Sequence, residues 1–231
     1  MTDADVKKQK AGERAACFAE DGMVIGLGSG STMYWTIRKL GELVQNGLMI
    51  EGVPTSLRTE NWAKECGIPL TSFTQVQRLD LAIDGADEID TKFRLTKGGG
   101  GSLVREKIVA AASRRLIIVA DEAKRVQSLG RFPLPVEVVP FGFEATIHNI
   151  SSLGCSAVIR THHGKPFVSD NGNYVLDCQF TSMDDPATLH NKIKLITGVV
   201  ETGLFIDMAD IVIIGTTTGT KILQKNSDRE G

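Results

Sequence analysis

Cysteine, histidine and aromatic residues are scarce in this chain, and neither sign of charge dominates it. Its four cysteines, Cys17, Cys66, Cys155 and Cys178, lie far apart in 231 residues and form no CxxC pair. That spacing speaks against a disulfide scaffold or a thiol redox motif and for reduced thiols. Of the four histidines, His162 and His163 are adjacent, so on a strand they would face opposite ways, and no metal-ligand spacing emerges. With 26 basic and 28 acidic side chains and a net charge of −2, there is no cationic excess for a nucleic-acid backbone to attract. No apolar run reaches membrane-spanning length, and the opening MTDADVKKQK is charged where a secretory signal would be apolar. No internal repeat and no low-complexity tract interrupts the chain. These absences predict a cytoplasmic protein with no membrane and no nucleic-acid partner, long enough for one large domain or two modest ones.

Alternation of strand and helix signals organises the first half. An amphipathic helix over 3–20 stops near Gly22, and a short apolar strand over 23–27 leads through GSGST into a helix over 32–45. A strand at 50–53, a helix at 57–66 and a strand at 79–83 follow. After four glycines come a helix at 102–112 and an apolar strand at 116–120. Such alternation predicts right-handed crossovers, a mostly parallel sheet, and a site built from loops at strand C-termini. At FPLPVEVVPFGF, three prolines within 133–140 change the texture. Beyond them the order is strand 136–139, helix 144–153, strand 155–160, strand 174–179, helix 186–196 and strand 199–201. Asp170-Asn171-Gly172-Asn173 supplies turn chemistry for the central hairpin. That β-α-β-β-α-β order predicts a small ferredoxin-like α+β domain. The uninterrupted apolar run at 210–215 is of the kind buried in a parallel sheet. The expected architecture is therefore a Rossmann-like α/β domain (1–130 plus 208–231) with an inserted smaller α+β domain (131–207).

The chemistry concentrates in LAIDGADEID-TKFRLTKGGGGSLVREK, residues 81–107. An apolar strand ends at Asp84, and Gly85 turns the chain so that Asp87 can face the same way. Lys97 then precedes Gly98, Gly99, Gly100 and Gly101, and a helix carrying Arg105 and Glu106 follows. Acids, a cation, a bare backbone and a further acid so close together suit proton transfer on an oxygen-rich substrate that passes through an anion. Taken singly each piece has a bland reading. Asp84 and Asp87 are also turn formers, Lys97 and Lys124 could be solvated lysines, and Glu106 could be an exposed helix residue between two cations. Gly28-Ser29-Gly30-Ser31-Thr32 matches a phosphate cradle at a helix N-terminus. It is not GxGxxG, because Met33 fills the third glycine position, and it has no P-loop lysine. A plain strand-to-helix cap through Ser31 or Thr32 would look similar. Thr216-Thr217-Thr218-Gly219-Thr220 reads as a polar turn, and Trp35 and Trp62 as core or interface.

In VIGLGSGST, VPTSLRT, LAIDGADEID, KGGGGSLVREK, IIVADEAK, LPVEVVP, SDNGNYVLD, TGVVETGLF and ADIVIIGT the chain resembles the type A ribose-5-phosphate isomerases, in order over nearly its whole length. DGAD, then KGGG, then RE at this spacing is far more specific than any one piece. The resemblance implies interconversion of D-ribose 5-phosphate and D-ribulose 5-phosphate in the non-oxidative branch of the pentose phosphate pathway. It also implies no metal or nucleotide cofactor, a small-molecule sugar phosphate as partner, and a homodimer. It places Ser29, Gly30, Ser31 and Thr32 around the substrate, with Ser31 and Thr32 on its phosphate and Lys7 and Lys124 as the cations of that site. Asp84 and Asp87, with Gly85 and Ala86 between them, would bind sugar hydroxyls, one aspartate assisting ring opening. Lys97 and the backbone of Gly98, Gly99 and Gly100 would surround the reacting end, and Glu106 would be the catalytic base. The one small departure is Ser29, where many members carry threonine; a hydroxyl is retained. Two rivals share this general fold. A sugar-phosphate sensor would need a DNA-binding helix-turn-helix, yet only about twenty residues precede the first strand. An acyl-CoA transferase would use the glutamate as a nucleophile, which trapping Glu106 as a thioester would reveal.

Overall fold

The computed structural model describes residues 1–225. In chain order its elements begin with α1 (Asp3–Ala16), β1 (Val24–Leu27), α2 (Ser31–Gln45), β2 (Glu51–Pro54), α3 (Leu57–Glu65) and β3 (Leu81–Gly85). Next come β4 (Glu88–Ile89), β5 (Leu95–Thr96), α4 (Leu103–Ala112), β6 (Leu116–Asp121) with a 3-10 turn over Glu122–Lys124, β7 (Leu134–Val138) and α5 (Phe143–Ser151). The remainder is β8 (Cys155–Ile159), β9 (Thr161–His162), β10 (Lys165–Pro166), β11 (Tyr174–Phe180), α6 (Pro186–Lys194), β12 (Val199–Thr202), β13 (Leu204–Phe205), β14 (Ile211–Gly215) and β15 (Thr220–Gln224). Two compact units divide these elements: Met1–Gly85, Ile108–Lys124 and Met208 onward in one, Ala86–Lys107 and Arg125–Asp207 in the other.

The first unit is built on a six-stranded sheet in the order β15-β14-β6-β3-β1-β2. Five strands run parallel, and only β15 is antiparallel, at the edge. From β1 the chain steps outward to β2, then crosses back over β1 to add β3, β6 and β14 on the other side. The strand order therefore reverses at β1 and β3, and ligands of open α/β sheets bind beyond the carboxyl ends at such a point. Ile25, Leu27, Ile83, Ile117, Val119 and Ile213 share one face of the sheet by register and bury it against α1, α2 and α3. α1 begins with a reciprocal cap, Thr2 accepting from the Asp5 N–H and Asp5 accepting from the Thr2 N–H. Its inner face is Ala11, Gly12, Ala15 and Ala16, small enough for close approach. α1 stops at Ala16, four residues before the expected end, because the Phe18 and Ala19 N–H groups turn back on Ala15 and Ala16.

The second unit holds an antiparallel sheet in the order β12-β7-β11-β8 covered by α5 and α6. Its β-α-β-β-α-β path is the ferredoxin-like arrangement expected. Two features depart from expectation. The Ser169–Tyr174 turn does not directly join β8 to β11, since a two-stranded ribbon (β9, β10) intervenes. The unit is also larger than 131–207, taking in residues 86–107 and 125–130. Backbone pairing explains the difference. β4 and β5 form a three-stranded sheet with β13, the Lys97 N–H donates to Gly203 O, and the buried Glu88 carboxylate accepts from the Gly130 and Phe132 N–H groups. The proline cluster marks a change of texture, whereas these hydrogen bonds decide which residues belong together.

Candidate active site

In the first unit, the parallel register sets Leu27 beside Ile83, so the segment after β1 and Asp84 in β3 emerge side by side. Gly28 makes that approach possible. A Cβ there would lie 2.2 Å from Asp84 Oδ1 and 2.6 Å from its Cα. Asp84 is buried, and its Oδ1 accepts from the Ser29 N–H (3.1 Å) and the Gly85 N–H (2.7 Å). Gly28→Ala is therefore expected to displace the Asp84 backbone, costing about 1–3 kcal/mol of stability and at least about tenfold in kcat/KM; thermal melts and steady-state kinetics measure both.

Ser29 turns inward. Its Oγ lies 2.8 Å from Thr55 Oγ1, donates to Ser56 Oγ (2.9 Å) and lies 3.2 Å from Thr59 Oγ1, while Thr59 Oγ1 donates to Gly28 O. The Ser29 hydroxyl is thus occupied in bracing the loop. Thr55, Ser56 and Thr59 are the site's unforeseen supports; the sequence signal was a hydroxyl-rich start to α3, where Ser56 caps the Thr59 N–H. Gly30 caps α2 at φ 105°, a left-handed value that favours glycine, and no side chain caps that end. The first-turn N–H groups at exposed Ser31 and buried Thr32 face outward from a helix N-terminus, an arrangement that favours an anion. Met33 sits in the core instead of contributing to the loop.

Both expected cations lie at the same carboxyl edge. Lys7 is held against the end of β14, where a Cβ on Gly215 would come 1.8 Å from Lys7 O. Its Nζ pairs with Glu122 at 3.1 Å, in the 3-10 turn that also carries Lys124.

In the second unit, Asp87 Oδ2 accepts from the Gly99 N–H at 2.7 Å, and a Cβ on Gly99 would strike that carboxylate. Gly98 and Gly101 have φ of 100° and 84°, and Gly99 and Gly100 are exposed. Lys97 and Glu106 are buried together, with side chains 3% and 7% exposed and Nζ 3.4 Å from Oε1. The Phe205 ring packs 5.4 Å from Lys97 Nζ and 4.8 Å from Lys107 Nζ. Lys107, next to the glutamate, donates to Glu201 Oε1, Thr202 O and Leu204 O. Burial pushes its ammonium down to about 8, with Glu201 opposing the shift. So the first unit gathers Lys7, Ser29, Gly30, Ser31, Thr32, Asp84, Gly85 and Lys124, and the second gathers Ala86, Asp87, Lys97, Gly98, Gly99, Gly100 and Glu106. The covalent chain passes from one set to the other inside DGAD.

By fold and residue chemistry this is a doubly wound α/β protein suited to moving protons on a small anionic ligand. A sequence model of the ribose 5-phosphate isomerase A (phosphoriboisomerase A) family matches residues 51–219. The ribose-5-phosphate isomerase A 1 of Oceanobacillus iheyensis is 54% identical over 216 residues, 93% of this chain and 96% of that protein. The solved ribose 5-phosphate isomerase A of Methanocaldococcus jannaschii superposes with a TM-score of 0.90 at 41% identity, covering 94% of this chain and 98% of that one. A D-ribose-5-phosphate isomerase solved in complex with phospho-erythronic acid superposes with a TM-score of 0.92, also at 41% identity, covering 97% and 100%. This chain belongs to the ribose 5-phosphate isomerase A family.

Proposed function

We propose that the chain interconverts D-ribose 5-phosphate and D-ribulose 5-phosphate through an enediolate, with Glu106 as the base. The observation that carries this reading is the buried Lys97–Glu106 pair at 3.4 Å, directly after a glycine loop. In the open-chain aldose, Glu106 takes the C2 proton, the electron pair forms a C1–C2 double bond, and charge moves onto the C1 oxygen. Lys97 and the N–H groups of the loop stabilise that oxyanion, a contribution that is usually the largest in such reactions. Glu106 then returns its proton to C1 while the C2 hydroxyl proton passes to the C1 oxygen, leaving C2 as the ketone of the ketose. Asp84 and Asp87 hold sugar hydroxyls, and one of them assists ring opening. The phosphate lies at the α2 N-terminus with Ser31, Thr32, Lys7 and Lys124, while Ser29 shapes the loop from beneath. Orientation by this remote grip accelerates the step without sharing in it.

The test is an assay of the purified protein with ribose 5-phosphate as sole substrate, with and without a chelator. Ribulose 5-phosphate should form at the same rate in both. No product at all would refute the isomerase reading; loss of rate that zinc or manganese restores would refute the metal-free proton transfer. Among the described residues, no group of three or more His, Cys, Asp or Glu side chains is placed to hold a metal ion.

Lys7→Ala and Lys124→Ala are each expected to raise KM by roughly 10-fold or more and to weaken inhibition by free phosphate in parallel, with kcat nearly kept. A collapse of kcat at unchanged KM would put that lysine on the transition state instead. Assembly as a homodimer and a cytoplasmic location are parts of the same reading. Phe141 and Leu195 of the second unit, 94% and 85% exposed, support association, because large apolar side chains so open to water favour a protein partner. Light scattering should give roughly twice the 25.0 kDa of one chain; a mass of one chain at micromolar concentration would end the dimer proposal. No helix among the described residues is long and apolar enough to cross a membrane.

A further inference from the structure

Arg160, at the end of β8 in the second unit, reaches the glycine loop. Its Nη1 donates to Gly98 O at 2.8 Å and to Gly99 O at 3.2 Å. The rest of the guanidinium is locked. Nε donates to Asp177 Oδ2 at 3.0 Å, Nη2 donates to Asp177 Oδ1, and the group lies 5.9 Å from the Phe167 ring centre. Phe167 in turn packs so tightly against the loop that a Cβ on Gly101 would come 2.3 Å from it. A bidentate fork on a carboxylate leaves the arginine little freedom. The side chain is only 14% exposed and its charge is balanced by Asp177, so what it supplies is direction more than field.

In a planar trans peptide the N–H points opposite to the C=O. Holding the Gly98 and Gly99 carbonyls therefore turns the Gly99 and Gly100 N–H groups away from Arg160. The Gly99 N–H goes to Asp87 Oδ2. The Gly100 N–H makes no hydrogen bond among the described residues, on a residue open to solvent. Glycines cannot hold such a direction unaided, since their backbone is the least restricted of all. We propose that Arg160, braced by Asp177, is a positioning residue that sets the glycine loop so that the Gly99 N–H holds Asp87 and the Gly100 N–H is aimed at the reacting end of the substrate, without Arg160 touching it. The proposal rests on the isomerase reading above.

Arg160→Met removes the fork at similar volume, Arg160→Lys keeps the charge without it, and Asp177→Asn loosens the brace. For Arg160→Met, kcat is expected to fall about 10- to 100-fold while KM moves less than about threefold. Inhibition by inorganic phosphate, which reports the other end of the substrate, should stay unchanged. Phospho-erythronic acid carries its carboxylate charge over two oxygens at the end opposite the phosphate, as the enediolate does. Its binding should weaken in step with kcat/KM. Arg160→Lys and Asp177→Asn should show the same pattern at smaller size, and they carry the comparison should Arg160→Met lose its fold by circular dichroism. A folded variant with wild-type kcat would overturn the proposal. So would a loss appearing equally in KM and in phosphate inhibition, the signature of a general structural role. Failure of the wild type to convert ribose 5-phosphate would instead refute the isomerase reading itself, whatever the variants do.

Discussion

Glu106→Gln should lower kcat by roughly 10²- to 10⁴-fold or more while ribose 5-phosphate still binds. The amide keeps the shape of the carboxylate beside Lys97 but cannot accept the C2 proton. Glu106→Asp keeps a base and withdraws it by one methylene from a side chain only 7% exposed, so activity should survive in part, limited by reach. In deuterated water the wild type should wash deuterium into the sugar at the transferred position, because a proton held on a carboxylate can exchange before delivery. Full retention of the substrate hydrogen would fit a shielded base or a hydride shift, which is why the amide variant decides the matter. Near-normal turnover by Glu106→Gln would remove this residue as the base and undo the site assignment.

Replacing Lys97 should harm both the reaction and the fold. Its ammonium is buried at 3% exposure against Glu106 and the Phe205 ring. Removing one partner of a buried pair leaves the other charge uncompensated, at a cost of about 3–5 kcal/mol. Lys97→Met is therefore expected to lower the denaturation midpoint clearly and to reduce kcat by about 10²- to 10³-fold, as the loss of an oxyanion donor does. Pairing it with Glu106→Gln separates the two effects. In the double variant no buried carboxylate is stranded, so much of the stability should return while turnover stays low, a strongly non-additive cycle. Strict additivity in stability would mean that the two side chains do not support each other in the folded protein.

Much of this was legible in the chain itself. The alternation of apolar strands with amphipathic helices is a local, periodic signal, and the parallel sheet with its ferredoxin-like companion follows it closely. GSGST, DGAD and KGGGG were visible because loops that bring backbone close to a ligand need glycine, and their acids and cations stand near them in sequence. β4, β5 and β13 were not visible: strands of two residues are too short to carry any periodicity. They are stabilised by pairing over long separations, which is also why residues 86–107 fall in the second unit.

The sequence by itself determined which chemistry is present: one glutamate after a glycine loop, a lysine before it, two aspartates at a strand exit, and hydroxyls at a helix N-terminus. It did so because residue type and spacing are enough to state what a group can donate or accept. Only the tertiary structure decided what each group is doing. It turned the Ser29 hydroxyl toward Thr55, Ser56 and Thr59, placed Lys97 and Glu106 in one buried pair, and brought Arg160 onto the glycine carbonyls from 62 residues away. Side-chain direction and burial are set by packing between segments far apart in the chain, and no local pattern encodes them.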